Sequence, residues 1–255
     1  MLAGRFHVLD WAAQATGRAD QAAWRAWAGA EATFGSTPWT TPKPPRPALP
    51  MLLRRRLTPL GQAAIGAAHA VGADASMLYV FASRHGEFQR SLRLMVALAR
   101  GEGLSPADFS LSVHNALAGL LSIAEGAHAG HTAIAAGPDS FAAGLLEAVA
   151  LLAAQPTARV LLVYYDDDLP APFASLQNEA PVGALALAVL LVSPLANPDD
   201  QAGGETLAFS AIAQPAGPSR PTISQAEDFL RFLAGTEAQG TAAGGRMALE
   251  WRRAS

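Results

Sequence analysis

The run Leu104-Ser-Pro-Ala-Asp-Phe-Ser-Leu-Ser-Val-His-Asn-Ala-Leu-Ala-Gly-Leu-Leu-Ser-Ile123, followed closely by His131-Thr-Ala-Ile-Ala-Ala-Gly-Pro-Asp-Ser140, decides how the rest of the chain reads. Phe109 to Val113 alternates apolar and polar residues at a period of two, which predicts a strand. Ser105-Pro106-Ala107-Asp108 before it can start a single helical turn, with serine at the cap and proline at the first helical position. Ala116 to His128 reads as a helix carrying an early glycine, Gly119, and Thr132 to Ala136 as a short strand. The unit is therefore strand, sharp turn at His114 and Asn115, helix, strand. A turn at a helix N-terminus places whatever side chain it carries against a partial positive charge.

Working outward, the flanks repeat this alternation. Phe6 to Trp11 is a strand candidate, and Asp20 to Ala32 a helix with Trp24 and Trp27 on one face. Thr37 to Pro50 holds six prolines and is expected to be an extended surface loop, since proline fixes φ and removes a donor. Thr58 to Val71 is a helix opened by Thr58-Pro59, and Met77 to Ser83 a buried strand. Gly86 to Arg100 is an amphipathic helix with Phe88, Leu92, Met95 and Leu98 expected inward and Gly101 as its stop. Ser140 to Ala154 is a helix, Arg159 to Tyr165 and Val182 to Val192 are buried strands, and Glu205 to Ala213 is a β-segment expected near an edge. A helix at Ser224 to Ala234 and a strand at Arg246 to Arg252 end the chain. One domain over residues 1–255 follows, with a mixed sheet and helices on both faces.

Composition narrows the chemistry. The chain has 255 residues, is 51% hydrophobic and 15% charged, and carries a formal net charge of −3. That is the make-up of a packed globular core. No basic stripe is present to neutralise phosphates, which argues against nucleic acid. With no cysteine, disulfides, thiolate metal sites and a cysteine nucleophile are excluded. The N-terminus carries Arg5, His7 and Asp10 where a signal peptide needs an apolar core, and Val182 to Val192 is too short to span a bilayer. A cytoplasmic protein with no membrane span is the expectation.

The quoted segments, together with Phe81-Ala-Ser-Arg-His-Gly-Glu-Phe-Gln-Arg90, resemble the nucleophile region of condensing enzymes of the thiolase fold. The motif Ser-Pro-x-x-Phe-Ser-x-Ser-Val-His-Asn-Ala is similar to that of a narrower group, the half-length, chain-length-factor-like β-ketoacyl synthase proteins of aryl polyene and related fatty-acid-type gene clusters. The likeness runs from Phe6 to about Val192, includes the basic stretch Leu52 to Leu57, and fades beyond Pro194, so residues 194–255 form a divergent segment. It implies an α/β, three-layer, thiolase-like half. It also implies a nucleophile position near Gly119, where this chain has Asn115 and Ala116, neither able to form a thioester. The second thiolase half, with its catalytic histidines, has no counterpart. The resemblance thus implies a non-catalytic subunit without a cofactor, whose partners are a full-length ketosynthase, an acyl carrier protein or both. It further implies a homodimer or heterodimer through Phe109 to Val113.

The residues themselves leave alternatives. Ser112 and His114, with one of Asp166 to Asp168, can be drawn as a hydrolase or acyltransferase triad, but no Gly-x-Ser-x-Gly elbow accompanies them. His114 and Asn115 can equally be satisfied polar groups locking the turn. The helix Ala116 to Ala124, with small residues at Ala116, Ala118, Gly119 and Ser122, can pack closely or line an acyl pocket. Arg84, His85 and Glu87 stand at a strand end, where α/β sheets often hold ligands, or form an Arg–Glu pair closing a loop. Asp166-Asp167-Asp168 is read as a solvated strand end rather than a magnesium site, and His128 and His131 as structural. Arg54 to Arg56 can meet an acidic carrier protein or simply face solvent.

Overall fold

The computed structural model describes residues 2–15, 17–29, 49–177, 183–196, 201, 203–214 and 224–254. Eight strands form one mixed sheet in the order β3-β2-β4-β5-β1-β6-β8-β7. They are β1 (Leu2–Ala15), β2 (Leu78–Ala82), β3 (His131–Ile134), β4 (Arg159–Asp166), β5 (Leu185–Val192), β6 (Glu205–Ala213), β7 (Gln239–Ala243) and β8 (Met247–Arg253). The β3, β2 and β4 strands run parallel and every other pairing is antiparallel. The central strand β5, Leu-Ala-Leu-Ala-Val-Leu-Leu-Val, is buried at every position, the near-continuous apolar pattern of a strand covered on both faces.

Eight helices cover the two faces among the described residues: α1 (Gln21–Ala28), α2 (Met51–Arg54), α3 (Pro59–Ala70), α4 (Phe88–Ala99), α5 (Pro106–Ser110), α6 (Ala116–Glu125), α7 (Ser140–Ala154) and α8 (Gln225–Ala234). One core joins α3 and α6 to Tyr79, Phe81, Leu161 and Val163. The other joins α1, α7 and α8 to the opposite sheet face through Trp24, Phe141, Phe229 and Trp251. Local chemistry explains the helix starts. Thr58 Oγ1 accepts from Gly61 N, with Pro59 at the first helical position. Ser224 and Glu227 form a reciprocal capping box on α8. Gly126, at φ 65°, ends α6 earlier than the expected His128.

Gly137 to Ala154 is long and apolar enough to cross a membrane, with a mean hydropathy of 1.3. Here it is the core helix, with Phe141, Ala142, Leu145, Ala148 and Leu152 buried against the sheet.

Three expectations change. Phe109 to Val113 is not a strand: Phe109 and Ser110 close α5 and Leu111 caps it. The reason is local, since Ser105 caps the helix, Ser110 Oγ donates to Pro106 O at 2.8 Å and Ser112 Oγ donates to Phe109 O at 2.8 Å. Met95 and Leu98 point outward rather than inward, and the only buried residue of α4 is Arg90. Strand β6 is not near an edge; it lies between β1 and β8, and the edge strand β7 was not anticipated. The expected proline-rich loop falls, from 37 to 48, outside the described residues.

Candidate functional site

The carboxyl ends of β2 and β4 meet the N-terminus of α7, the position where parallel α/β sheets gather ligands. Here the chain runs strand, turn, buried helix: β3, then Ala135 to Asp139 with Gly137 at φ 61°, then the 15-residue α7. Helix α7 lies tight on the sheet, because a Cβ at Gly144 would be 2.7 Å from Ala82 Cβ. The strand–turn–helix geometry expected around Asn115 and Ala116 is thus found twenty residues later. At Ala116 the chain enters α6 from a turn without a preceding strand.

The turn before α7 offers no nucleophile. Its residues are Ala135, Ala136, Gly137, Pro138 and Asp139. The hydroxyl of the next residue, Ser140, is buried, donates to Gly137 O at 2.7 Å and accepts from Ala136 N at 3.0 Å. The Asp139 carboxylate, 4% exposed, accepts from Gly245 N (2.9 Å), Arg246 N (2.9 Å) and Met247 N (3.2 Å) in the β7–β8 turn. Gln225 of α8 reaches the same place: its Oε1 accepts from Ala142 N at 3.2 Å and its Nε2 donates to Met247 O at 3.0 Å. None of these long-range partners was legible from the sequence.

Around this turn lies a cavity of about 50 Å³ lined by Arg84, His85, Tyr164, Asp166, Asp167 and Gln177, among others. That is room for a few waters, well short of the roughly 300–1,000 Å³ of a ligand pocket. The three aspartates have different tasks. Asp166 accepts from His85 N (3.1 Å), and the His85 ring Nδ1 lies 3.3 Å from its Oδ1. Asp168 accepts from Gln177 Nε2 (2.7 Å) and Gly183 N (2.9 Å). Burial, reinforced by the neighbouring carboxylates, pushes Asp167 up to about 6. Among the described residues no group of three histidine or acidic side chains could hold a metal ion.

A second cavity, of about 280 Å³, shares His85, Asp167 and Asp168 and opens between the N-termini of α3 and α4, beside Arg93. Glu87 is buried under it and accepts from Thr58 Oγ1 and from Arg90 (3.1 and 3.3 Å). The loop-closing pair is therefore Arg90 with Glu87, not Arg84 with Glu87.

Ser112 and His114 do not assemble. Ser112 Oγ is committed to Phe109 O, and His114 Nε2 lies 3.0 Å from Ser83 O. Tyr165, its hydroxyl pushed up by burial and so kept neutral, donates to His114 O at 3.1 Å. Of the strand-end aspartates, Asp166 pairs with His85 rather than His114. Asn115 is exposed and makes no side-chain cap, and Gly119 faces open space on α6. Ser112, His114 and Tyr165 hold the loop beside β2 in place; the geometry gives Ser112 and His114 no shared chemistry.

The third feature is a surface. Strand β3 has a strand neighbour on one side only, among the described residues. In the helices and turns of the same half, Leu98 (67%), Phe109 (67%), Val113 (52%) and Ile123 (69%) are exposed, with Met95, Val96 and Leu104 also partly open. Of the elements that carry them, α6 packs against β3, and single exposed apolar residues are ordinary.

Known proteins match this architecture. The model of the family described as β-ketoacyl synthase, N-terminal domain, matches residues 24–252. A chain of the ketosynthase (ApeO) in complex with its chain length factor (ApeC) from Xenorhabdus doucetiae is similar over 97% of this chain and 99% of its own. The two share 28% sequence identity at a TM-score of 0.78. The ishigamide ketosynthase/chain length factor (15% identity, 82% and 68% coverage, TM-score 0.61) has the same fold. So does a β-ketoacyl synthase from Burkholderia phymatum STM815 (14%, 85% and 66%, TM-score 0.59). A search of curated protein sequences gives no match. With the family match covering most of the chain and the sheet order and buried α7 in agreement with it, this chain belongs to the β-ketoacyl synthase N-terminal domain family.

Proposed function

We propose that this chain is a non-catalytic, chain-length-factor-like subunit that pairs with a ketosynthase in an acyl-chain-building assembly of the fatty-acid or aryl polyene type. The observation that carries the reading is the conjunction of an intact fold with an empty chemistry. The strand–turn–helix of a condensing enzyme is kept, no side chain at the turn can form a thioester, and, among the described residues, β3 has a strand neighbour on one side only while several large apolar side chains are exposed. Support for a ketosynthase as the partner comes from the similarity to a chain of a ketosynthase–chain length factor complex. Antiparallel addition of a partner strand to β3, with Leu98, Phe109, Val113 and Ile123 covered, removes both the open edge and the apolar exposure.

An acyl carrier protein is the second expected partner. No acidic residue lies between Glu31 and Asp74, while Arg54, Arg55 and Arg56 follow the exposed Met51 and Leu52. Arg90 Nη2 donates to Arg56 O, which sets this basic stretch beside Arg93 and the mouth of the 280 Å³ cavity. A basic rim of this kind complements an acidic carrier.

The test is co-expression with the ketosynthase from the same gene neighbourhood, followed by size-exclusion chromatography with light scattering. A stable mixed complex is expected, lost in Phe109→Asp and Ile123→Asp while the subunit stays folded. A chain that remains alone, or pairing indifferent to both substitutions, overturns the proposal.

A further inference from the structure

We infer that Arg90 is a positioning residue: with Glu87, Thr58 and Asp108 it holds the backbone of the basic stretch Arg54 to Arg56 in place, so that this stretch and Arg93 present one cationic rim to an acidic partner. That role rests on the reading of an acyl carrier protein as the second partner. Arg90 is 5% exposed and is the one buried residue of α4. Burying a charge is costly, and a buried ion pair adds little stability over apolar packing, so its value here lies in the geometry it fixes. The guanidinium bonds to three places at once. Nε and Nη2 donate to Glu87 Oε2 (3.3 and 3.1 Å), Nη1 donates to Asp108 in the first turn of α5, and Nη2 also donates to Arg56 O at 2.7 Å. Glu87 Oε1 in turn accepts from Thr58 Oγ1, which itself caps α3 by accepting from Gly61 N at 3.0 Å. The network therefore pins the chain from Arg56 to Gly61 against the starts of α4 and α5.

The basic stretch needs such a hold. Leu49 and Leu57 are buried, but every residue from Pro50 to Arg56 between them is exposed or half-buried. Side-chain packing therefore fixes the ends of the stretch and leaves its middle to backbone bonds. Arg56 N donates to Leu53 O and Leu57 N to Arg54 O, so the bond from Arg90 to Arg56 O ties one compact turn to α4. The charge of Arg90 is matched by Glu87 and Asp108, which leaves it no part in attracting a partner; it acts through the stretch it holds. Arg93, three residues on along α4 and exposed, lies 3.9 Å from the same Asp108. The network thus sets the spacing between Arg93 and the stretch. Cations held at a fixed spacing bind better than loose ones, because ordering a loop and its long side chains on association costs affinity.

The experiment uses the full chain and the dye-labelled acyl carrier protein from the same gene neighbourhood, with affinity read by fluorescence anisotropy. Arg55→Glu reverses a rim charge and should weaken binding roughly tenfold or more at low salt. Glu87→Gln combined with Arg90→Met removes one charge of each sign, leaves an oxygen for Thr58 and fills the site with an apolar side chain. This double variant should unfold at the urea concentration of the wild type or above. Its amides from Arg55 to Leu57 should nevertheless exchange faster, and the carrier should bind roughly fivefold more weakly. Should the double variant fail to fold, Arg90→Lys serves. It keeps the charge but lacks the fork that reaches Glu87, Asp108 and Arg56 O together, and the same loss of affinity is expected. Wild-type affinity in a folded variant of either kind overturns the positioning role and leaves the carrier reading standing. A wild type that binds no carrier, or binding indifferent to Arg55→Glu, overturns the carrier reading, and the positioning role falls with it.

Discussion

Glu227 gives the sharpest quantitative test of how α8 is packed. Its carboxyl is 1% exposed at the start of α8, where Oε2 accepts from Ser224 N at 2.9 Å. Burial pushes it up from the ordinary 4.5 to about 7, with Asp228 adding to the rise and the Ser224 bonds and Arg18 opposing it. Between those two values the folded chain holds a proton that the unfolded chain has released, so folded stability falls as pH rises through that window and levels off above about 7. At about 1.4 kcal/mol per unit, the difference amounts to roughly 3 kcal/mol. Glu227→Gln keeps an oxygen to accept from Ser224 N–H and removes the buried charge. It should match the wild type near pH 4 and exceed it by up to about 3 kcal/mol at pH 8. Asp228 and Asp167, both also raised by burial to about 6, add falls of the same sign to both proteins. The difference between the two stability–pH curves therefore isolates Glu227. Urea denaturation followed by tryptophan fluorescence is a suitable assay, since Trp24 and Trp251 are buried beside this helix. Parallel curves, or a variant less stable than wild type at pH 8, would mean that Glu227 is ionised in the fold and held by Arg18, and the reasoning would fail.

Two further substitutions probe the elements that place the cleft. Gly144→Ala gains about 1 kcal/mol of helix propensity but drives a methyl to 2.7 Å from Ala82 Cβ and 3.1 Å from Leu162 Cδ1. A net loss of about 1–2 kcal/mol in urea denaturation is expected, and a stabilised variant would show that α7 has slack against the sheet. Arg90→Ala removes the buried guanidinium that donates to Glu87, Asp108 and Arg56 O, stranding the Glu87 carboxylate. It should cost about 3–5 kcal/mol, largely recovered when Glu87→Gln is added; a small effect with no recovery would count against a buried pair.

How much of this was readable beforehand depends on the range of the forces involved. The strands β2, β4 and β5 and the helices α3 and α7 declare themselves through continuous apolar runs and local caps such as Thr58-Pro59, because burial on both sides and capping are properties of neighbouring residues. Phe109 to Val113 misleads for a physical reason. Its alternation is the signature of a half-buried strand, yet Ser105, Ser110 and Ser112 each bond to the nearby backbone and draw it into helix and turn. The apolar members of that alternation, Phe109 and Val113, then face outward. Periodicity likewise identifies the apolar face of α4 without saying what covers it, and Met95 and Leu98 turn out to face away from the core.

The packing at the start of α7 was less legible still, since its residues meet across more than 80 positions. Asp139 looks like an ordinary helix-leading aspartate and Gln225 like a surface glutamine until the β7–β8 turn is seen to close on both. The two surprises are complementary. Met95 and Leu98, expected inside, lie on the surface, while the polar Asp139 and Gln225 lie buried at the start of α7.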